Sequence, residues 1–340
     1  MSQEENALAD WRARALAIES AVNTVVIGQQ RAVRLIDVAL FARGHVLLEG
    51  DVGVGKTTLL RAFARAVGGS FSRIEGTVDL MPADLLYYTY IGEDGRPRVD
   101  PGPLVRNSDD LAVLFFNEIN RARPQVHSVL LRVMAERSAS AFDREFRFPH
   151  LTVFADRNRV EREETFEISS AAKDRFMMEV GIEAPREESD QLALMFDTAF
   201  HDVDTLIARV PEALVDYRAL NQIAATIQSS IQVGDALRRY AHRLWQTIAR
   251  PHEHDVVIDG VDTAALILGG ASPRGMSLAV RAARAHAWLD GRGHVEPRDL
   301  HAVFFETMAH RVFFEPAYEL RRAGIVRELF AQAFARTPAP

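Results

Sequence analysis

The segment Gly50-Asp51-Val52-Gly53-Val54-Gly55-Lys56-Thr57 constrains this chain more tightly than any other stretch. It satisfies the pattern G-x-x-x-x-G-K-[ST] in full. The apolar run before it reads as a strand ending at Glu49, and a helix pattern begins near Lys56. Glycines at these positions let the backbone wrap a phosphate, so that successive N–H groups point at its oxygens. Lys56 supplies a compact point charge to the β- and γ-phosphates, and the Thr57 hydroxyl is suited to ligating Mg²⁺. Asp51, Val52 and Val54 complete the loop, and Thr58 continues the helix behind it. A chain that presents such a loop between strand and helix is expected to be an α/β protein with a P-loop αβα core, binding ATP with Mg²⁺.

Composition narrows the rest. Of the 40 basic residues only two are lysines, Lys56 and Lys173, and the shortage has a ready explanation in the codon bias of a GC-rich genome. With 47 acidic residues the formal charge is −7, so bulk electrostatics argue against a nucleic-acid binder that works by releasing counterions and leave open only a local basic patch. The absence of cysteine excludes disulfides, thiol catalysis and thiolate-bound zinc. The longest apolar stretches, such as Leu111 to Phe116, fall far short of the roughly 20 residues that span a bilayer. Met1 to Asp10 is acidic and lacks the basic-then-apolar order of a signal peptide, so a cytoplasmic location is expected.

Two halves of the chain carry different patterns. Short apolar runs at His45–Glu49, Phe71–Glu75, Ala112–Phe116, Leu151–Ala155 and Met177–Gly181 read as buried strands, with helices expected at Thr57–Val67 and Gln125–Glu136. Alternation of this kind implies parallel βαβ units covered on both faces. Past Pro185 the strand signal fades, and helices are expected over about 187–199, 213–230, 232–249, 259–268, 274–289 and 297–309. The expected division is an N-terminal helix over 1–25, a nucleotide-binding core over 26–185, an all-helical lid domain over 186–310 and a helical tail over 311–340. Two hairpins are expected on the core, one around Glu93-Asp94-Gly95 and one around Asp143-Arg144.

A P-loop enzyme needs a second strand that brings carboxylates to the metal. Leu114-Phe-Phe-Asn-Glu118 is the candidate. Glu118 suits a general base that polarises the attacking water. Asn117 stands where an aspartate would help to hold Mg²⁺; it keeps a carbonyl oxygen but loses the charge. The loss in metal affinity is on the order of 1–2 kcal/mol by analogy with charged hydrogen bonds, which points to slow turnover.

The order of these blocks resembles the MoxR family of AAA+ ATPases over roughly residues 26–310. The matching stretches are Val26-Ile-Gly-Gln29, Leu47-Leu-Glu-Gly50, Gly76 to Asp84, Pro101-Gly-Pro103, Asn117 to Ala122, Leu130 to Glu136, Asp174-Arg-Phe176 and Gly270 to Arg274. The resemblance implies that Asn158 is the sensor-1 residue beside the γ-phosphate. Members of the family commonly read Ala-Thr-Gln-Asn-Pro there, where this chain reads Ala155-Asp-Arg-Asn-Arg159. It further implies that Arg175 is an arginine finger reaching a neighbouring subunit's nucleotide, that Arg274 is sensor 2, and that Val26, Ile27 and Gly28 edge the adenine pocket. The two hairpins correspond to inserts that face a ring's central channel, where Tyr87, Tyr88 and Tyr90 could grip a client or pack inward.

At the level of function, the resemblance implies a homo-oligomeric, hexameric ring with a von Willebrand factor A domain protein as partner. ATP turnover would activate or mature a client metalloenzyme, foremost methanol dehydrogenase, by remodelling or by inserting a cofactor or metal. A CbbQ-type rubisco activator, a Mg/Co-chelatase motor subunit and a nucleotide-gated scaffold with little hydrolysis are the alternatives. Arg121 and Arg123 are candidates for a subunit boundary. His127 is expected to pack or cap, and Arg250-Pro-His-Glu-His254 to be surface; Lys173 has no assigned role.

Overall fold

The computed structural model describes residues 3–158 and 165–340, which leaves Arg159 outside it. The chain divides into two compact units, Met1–Phe176 with Val180–Ile223 and Met177–Glu179 with Ala224–Pro340.

The first unit opens with α1 (Gln3–Asn23) and α2 (Gln30–Phe41), followed by β1 (His45–Gly50), α3 (Lys56–Val67) and β2 (Ser70–Glu75). A hairpin, β3 (Tyr87–Ile91) and β4 (Pro97–Pro101), precedes β5 (Leu111–Asn117) and α4 (Pro124–Glu136). A second hairpin, β6 (Ser138–Ala141) and β7 (Arg144–Arg147), leads to β8 (Thr152–Arg157), the short α5 (Ser170–Lys173) and β9 (Phe176–Ile182). Helices α6 (Glu188–Phe196) and α7 (Val203–Ala208) follow.

Five of these strands form one sheet in the order β2-β5-β8-β1-β9. The pairs β2·β5, β5·β8 and β8·β1 are parallel. The central strands are apolar on both sides because helices cover both faces. Leu47, Leu114, Phe116, Val153 and Ala155 share a buried cluster with Val126, Leu130 and Val133 of α4. Their alternate neighbours, Phe115 and Phe154 among them, are buried as well. At the parallel strands' C-terminal ends the apolar run stops and polar residues begin, which is where open α/β sheets bind ligands.

The expected core boundary at 185 moves in the structure to 223. Residues beyond Pro185 stay on the first unit: Ala213 and Leu214 donate their amides to Arg65 O and Ala66 O at 3.0 and 2.8 Å, and Tyr217 donates to Asp110 at 3.0 Å. Gly68 packs so closely that a Cβ there would lie 2.8 Å from Ala213 Cβ. Both hairpins form as expected. Tyr87, half-buried, packs on the exposed Phe142 at the second hairpin's tip, with ring centroids 4.6 Å apart, whereas Tyr88 and Tyr90 remain exposed.

The second unit holds α8 (Leu220–Ser230) from Ala224 onward, α9 (Asp235–Ala249), α10 (Pro273–Leu289), α11 (Pro297–Met308) and α12 (Arg322–Arg336). The helix expected over 259–268 does not form. Instead β10 (Ile267–Gly269) pairs antiparallel with β11 (Phe313–Phe314). The cause is period-two burial, with Leu266 fully buried and Leu268 exposed, after the left-handed Gly260. The tail over 311–340 packs into the same unit, because Phe330 and Phe334 of α12 lie on Phe304 of α11 at 5.7 and 5.6 Å between ring centroids. His252 and His254 sit on a short 3-10 turn, with His252 exposed.

A buried charge cluster fastens α10 to α11. Asp299 is fully buried and takes bonds from Arg292 Nη1 and Nη2 at 2.5 Å each, from His286 at 2.7 Å and from the Glu296 amide at 2.8 Å. Burial alone would raise its carboxyl, but the Arg292 and His286 bonds outweigh that and hold it at about 2. His286, Asp290 and Asp299 have metal-ligand spacing, yet the Arg292 guanidinium already saturates Asp299.

Candidate nucleotide-binding and hydrolysis site

The phosphate loop begins where β1 has no room for a side chain. A Cβ on Gly50 would lie 2.4 Å from Ile182 O, so only glycine lets the strand turn there. Gly53 and Gly55 have φ of +83° and +87°, values that L-residues with side chains rarely adopt. Gly55 caps α3, whose first residue is Lys56. The first amides of a helix have no intrahelical acceptor and carry the positive end of its dipole, so the loop and helix start present donors to an anion. Asp51 and Val52 are exposed, and Val54, Thr57 and Thr58 are half-buried.

Lys56 is buried, and its ammonium donates to Gly50 O at 2.7 Å, Asp51 O at 3.0 Å and Asn158 Oδ1 at 2.7 Å. Asn158 in turn donates to Glu118 Oε1 at 3.3 Å. The structure thus joins lysine, Asn158 and Glu118 in one chain of contacts across three adjacent elements. The other Glu118 oxygen accepts from Arg121 at 3.2 Å. Arg121 therefore lies at the heart of this site.

Glu118 has φ +51° and ψ +50°, a left-handed conformation that costs a non-glycine residue free energy. Two features hold it. Asp156 Oδ1 accepts the Glu118 amide at 2.6 Å, and Gly76 lies so close that a Cβ there would meet Glu118 O at 2.1 Å. Asn117 donates its amide to Glu75 Oε2 at 2.6 Å, toward the outer strand β2. Burial pushes the Asp156 carboxyl up to about 6, aided by Glu118 and Glu75 and opposed by the Glu118 amide and by Lys56. Sequence reasoning singled out Asn117, Glu118 and Asn158 but passed over Asp156, Glu75 and the function of Gly76. The available signal was an aspartate ending an apolar strand two residues before Asn158.

These groups fit a magnesium nucleotide. Lys56 and the loop amides would hold the phosphates, while Thr57 and the Asn117 carbonyl oxygen would face the metal with Glu118 nearby. Val26 is buried, and Gly28, with φ +74°, packs where a Cβ would lie 2.7 Å from Pro185. Arg175 follows α5, half-buried; its amide donates to Ala172 O at 3.1 Å, and its side chain makes no hydrogen bond or ion pair to any described residue. Arg274 belongs to the second unit, exposed at the start of α10 behind the Ser272 cap. His127 is buried and bonds Ile119 O at 2.7 Å, as expected of a packing histidine.

Comparison with known proteins matches residues 45–178 to the ATPase family associated with various cellular activities (AAA) and residues 262–335 to the AAA lid domain. The chain is 57% identical over 333 residues to Protein MoxR of Methylorubrum extorquens, covering 98% of this chain and 97% of that one. The chain belongs to the MoxR family of AAA+ ATPases. Protein MoxR of Paracoccus denitrificans is 56% identical, over 98% of both chains. Chaperone MoxR1 of Mycobacterium tuberculosis is 36% identical over 86% of this chain and 73% of its own. The crystal structure of a protein assigned as an ATPase from Cytophaga hutchinsonii superposes with a TM-score of 0.82 at 25% identity, covering 99% and 97% of the two chains. The second unit is therefore an AAA lid, and this MoxR-type chain is an AAA+ ATPase by family. No helix among the described residues is long and apolar enough to cross a membrane.

Proposed function

We propose that this MoxR-type protein hydrolyses ATP at the Lys56–Asn158–Glu118 site, in a cytoplasmic homo-oligomeric ring, and uses turnover to activate or mature a client metalloenzyme. The observation that carries the reading is the contact chain from Lys56 through Asn158 to Glu118 at the mouth of the sheet. Bound MgATP supplies the phosphoryl group and the metal's charge. Glu118 orients the attacking water and takes its proton; Asn158 holds the Glu118 carboxylate and a phosphate-side contact; Lys56 offsets charge that develops on the transferred group. Arg175, whose side chain has no partner among the described residues, acts across a ring interface, which makes hydrolysis depend on assembly. Arg274 serves the lid side. Asn117 faces the metal with an amide oxygen and no charge of its own.

Methanol dehydrogenase is the foremost client, with a von Willebrand factor A domain protein as adaptor; both follow from the sequence resemblance to the family. Exposed Tyr88 and Tyr90 are the client-facing groups. A second reading, a nucleotide-gated scaffold, draws on the Asn117 amide being committed to Glu75. The test is a methanol-grown strain lacking this chain, complemented with the wild type or with Glu118→Gln, with active methanol dehydrogenase assayed in extracts. The wild type restores activity and Glu118→Gln does not. Full restoration by Glu118→Gln favours the scaffold, and unchanged activity in the deletion strain removes this client.

A further inference from the structure

Three strands place three polar side chains in one row across the sheet. The β2·β5 register sets Glu75 opposite Asn117. The β5·β8 register sets Phe116 opposite Ala155, which carried one residue further sets Asn117 opposite Asp156. Asp156 in turn lies opposite Leu48 on β1, the strand that runs into the phosphate loop. Directly opposed residues of parallel strands project to the same face, about 4.8 Å apart. Asn117 therefore stands between two carboxylates. An aspartate there would be the third like charge in a row, which cross-strand pairing disfavours.

The amide resolves this by leaning outward, donating to Glu75 at 2.6 Å on the side of the sheet away from the loop. The carboxylate on the loop side is Asp156, 1% exposed, with Oδ2 3.8 Å from Lys56 Nζ and Oδ1 on the Glu118 amide at 2.6 Å. Asn158 follows two residues later on the same strand direction and reaches Lys56 itself. The negative charge missing from position 117 is thus present one strand closer to the phosphate loop.

The geometry points to Asp156 as a positioning residue that replaces the carboxylate absent from position 117: it supplies the fixed negative charge on the metal side of the nucleotide and sets the Glu118 backbone through one hydrogen bond. This rests on the reading of the loop as a MgATP site. Its two jobs separate by substitution, because Asp156→Asn keeps an oxygen for the Glu118 amide while removing the charge. Moving the charge back by combining Asn117→Asp with Asp156→Asn leaves a single carboxylate on the pair and two in the row, against three in Asn117→Asp alone.

The experiment measures binding of a fluorescent, slowly hydrolysed ATP analogue to the full chain, with Mg²⁺ and with chelator. Wild type, Asp156→Asn, Asn117→Asp, the double variant and Lys56→Ala are compared, with circular dichroism to confirm folding. Asp156→Asn is expected to lose about tenfold of the Mg²⁺ enhancement of affinity while binding metal-free nucleotide as the wild type does, by the order of one charged contact. The double variant regains most of the enhancement, and Asn117→Asp alone gains little. Wild-type enhancement in Asp156→Asn, or no recovery in the double variant, overturns the inference. Should Asp156→Asn not fold, Asp156→Thr, which also keeps an oxygen, is held to the same two criteria. A wild type that binds nucleotide no better than Lys56→Ala fails the MgATP reading itself, a separate outcome visible in the same titration.

Discussion

Asp156 in the nucleotide-binding unit and Asp299 in the lid are aspartates of equal burial, 1% and 0% exposed, with opposite surroundings. Asp299 receives both arms of Arg292, the His286 ring and the Glu296 amide, which hold its carboxyl down at about 2. Asp156 receives one backbone amide and a lysine no closer than 3.8 Å, and its carboxyl is pushed up to about 6. Desolvation opposes the charged form at both sites, so the difference lies in how many donors answer it. A fully answered carboxylate fastens two helices. An under-answered one stores unspent electrostatic demand beside a loop built for phosphates, as ionisable groups at functional sites commonly do.

Matched substitutions break or sharpen this contrast. Asp299→Asn leaves Arg292 short of its buried partner, and the expected loss of lid stability is about 3–5 kcal/mol, the usual result of breaking a buried pair from one side. Asp156→Asn removes an under-satisfied charge, so its melting temperature is expected to stay at or above that of the wild type. Equal losses for the two variants in thermal unfolding would erase the distinction.

The same experiment carries a pH arm. Since the folded carboxyl of Asp299 lies below its unfolded value of roughly 3.9, its contribution is present above about pH 4 and is lost as pH falls toward 2. The wild type should therefore lose its advantage over Asp299→Asn on acidification through that window. A gap independent of pH would contradict the assignment.

A smaller effect is expected at the strained glutamate. Gly76→Ala forces Glu118 O away from a contact that allows only 2.1 Å to a new Cβ. Turnover should fall roughly tenfold or more through misplacement of the base, while nucleotide affinity changes little. Unchanged turnover would show that the Glu118 backbone position is not limiting.

Much of this was legible in the chain before folding. The central runs Leu111–Phe116 and Val153–Ala155 are apolar without interruption because both faces are buried, whereas the edge strand β2 alternates; the phosphate loop carries its own strand-before, helix-after signature. Glu93-Asp94-Gly95 marked its hairpin through turn chemistry. Other features depended on distance. The row Glu75–Asn117–Asp156 exists only through strand register, which pairs residues far apart in sequence, so Asn117 alone looked like a simple loss of charge. Pro185 reads as a domain boundary, yet Ala213, Leu214 and Tyr217 bind back to the first unit through contacts with α3 and with Asp110. The stretch 259–268 has helix-compatible composition, and its pairing partner Phe313–Phe314 lies on another part of the chain. The two lysines divide as well. Lys56 sits at the centre of the site, and Lys173 ends α5 just before Arg175.

The most direct test is steady-state phosphate release from ATP by the purified full chain, compared with Lys56→Ala under identical Mg²⁺. The wild type is expected to turn over, however slowly, at a rate that Lys56→Ala lowers to background. Wild-type release indistinguishable from that of Lys56→Ala, with the client and adaptor present, would contradict hydrolysis at the Lys56–Asn158–Glu118 site.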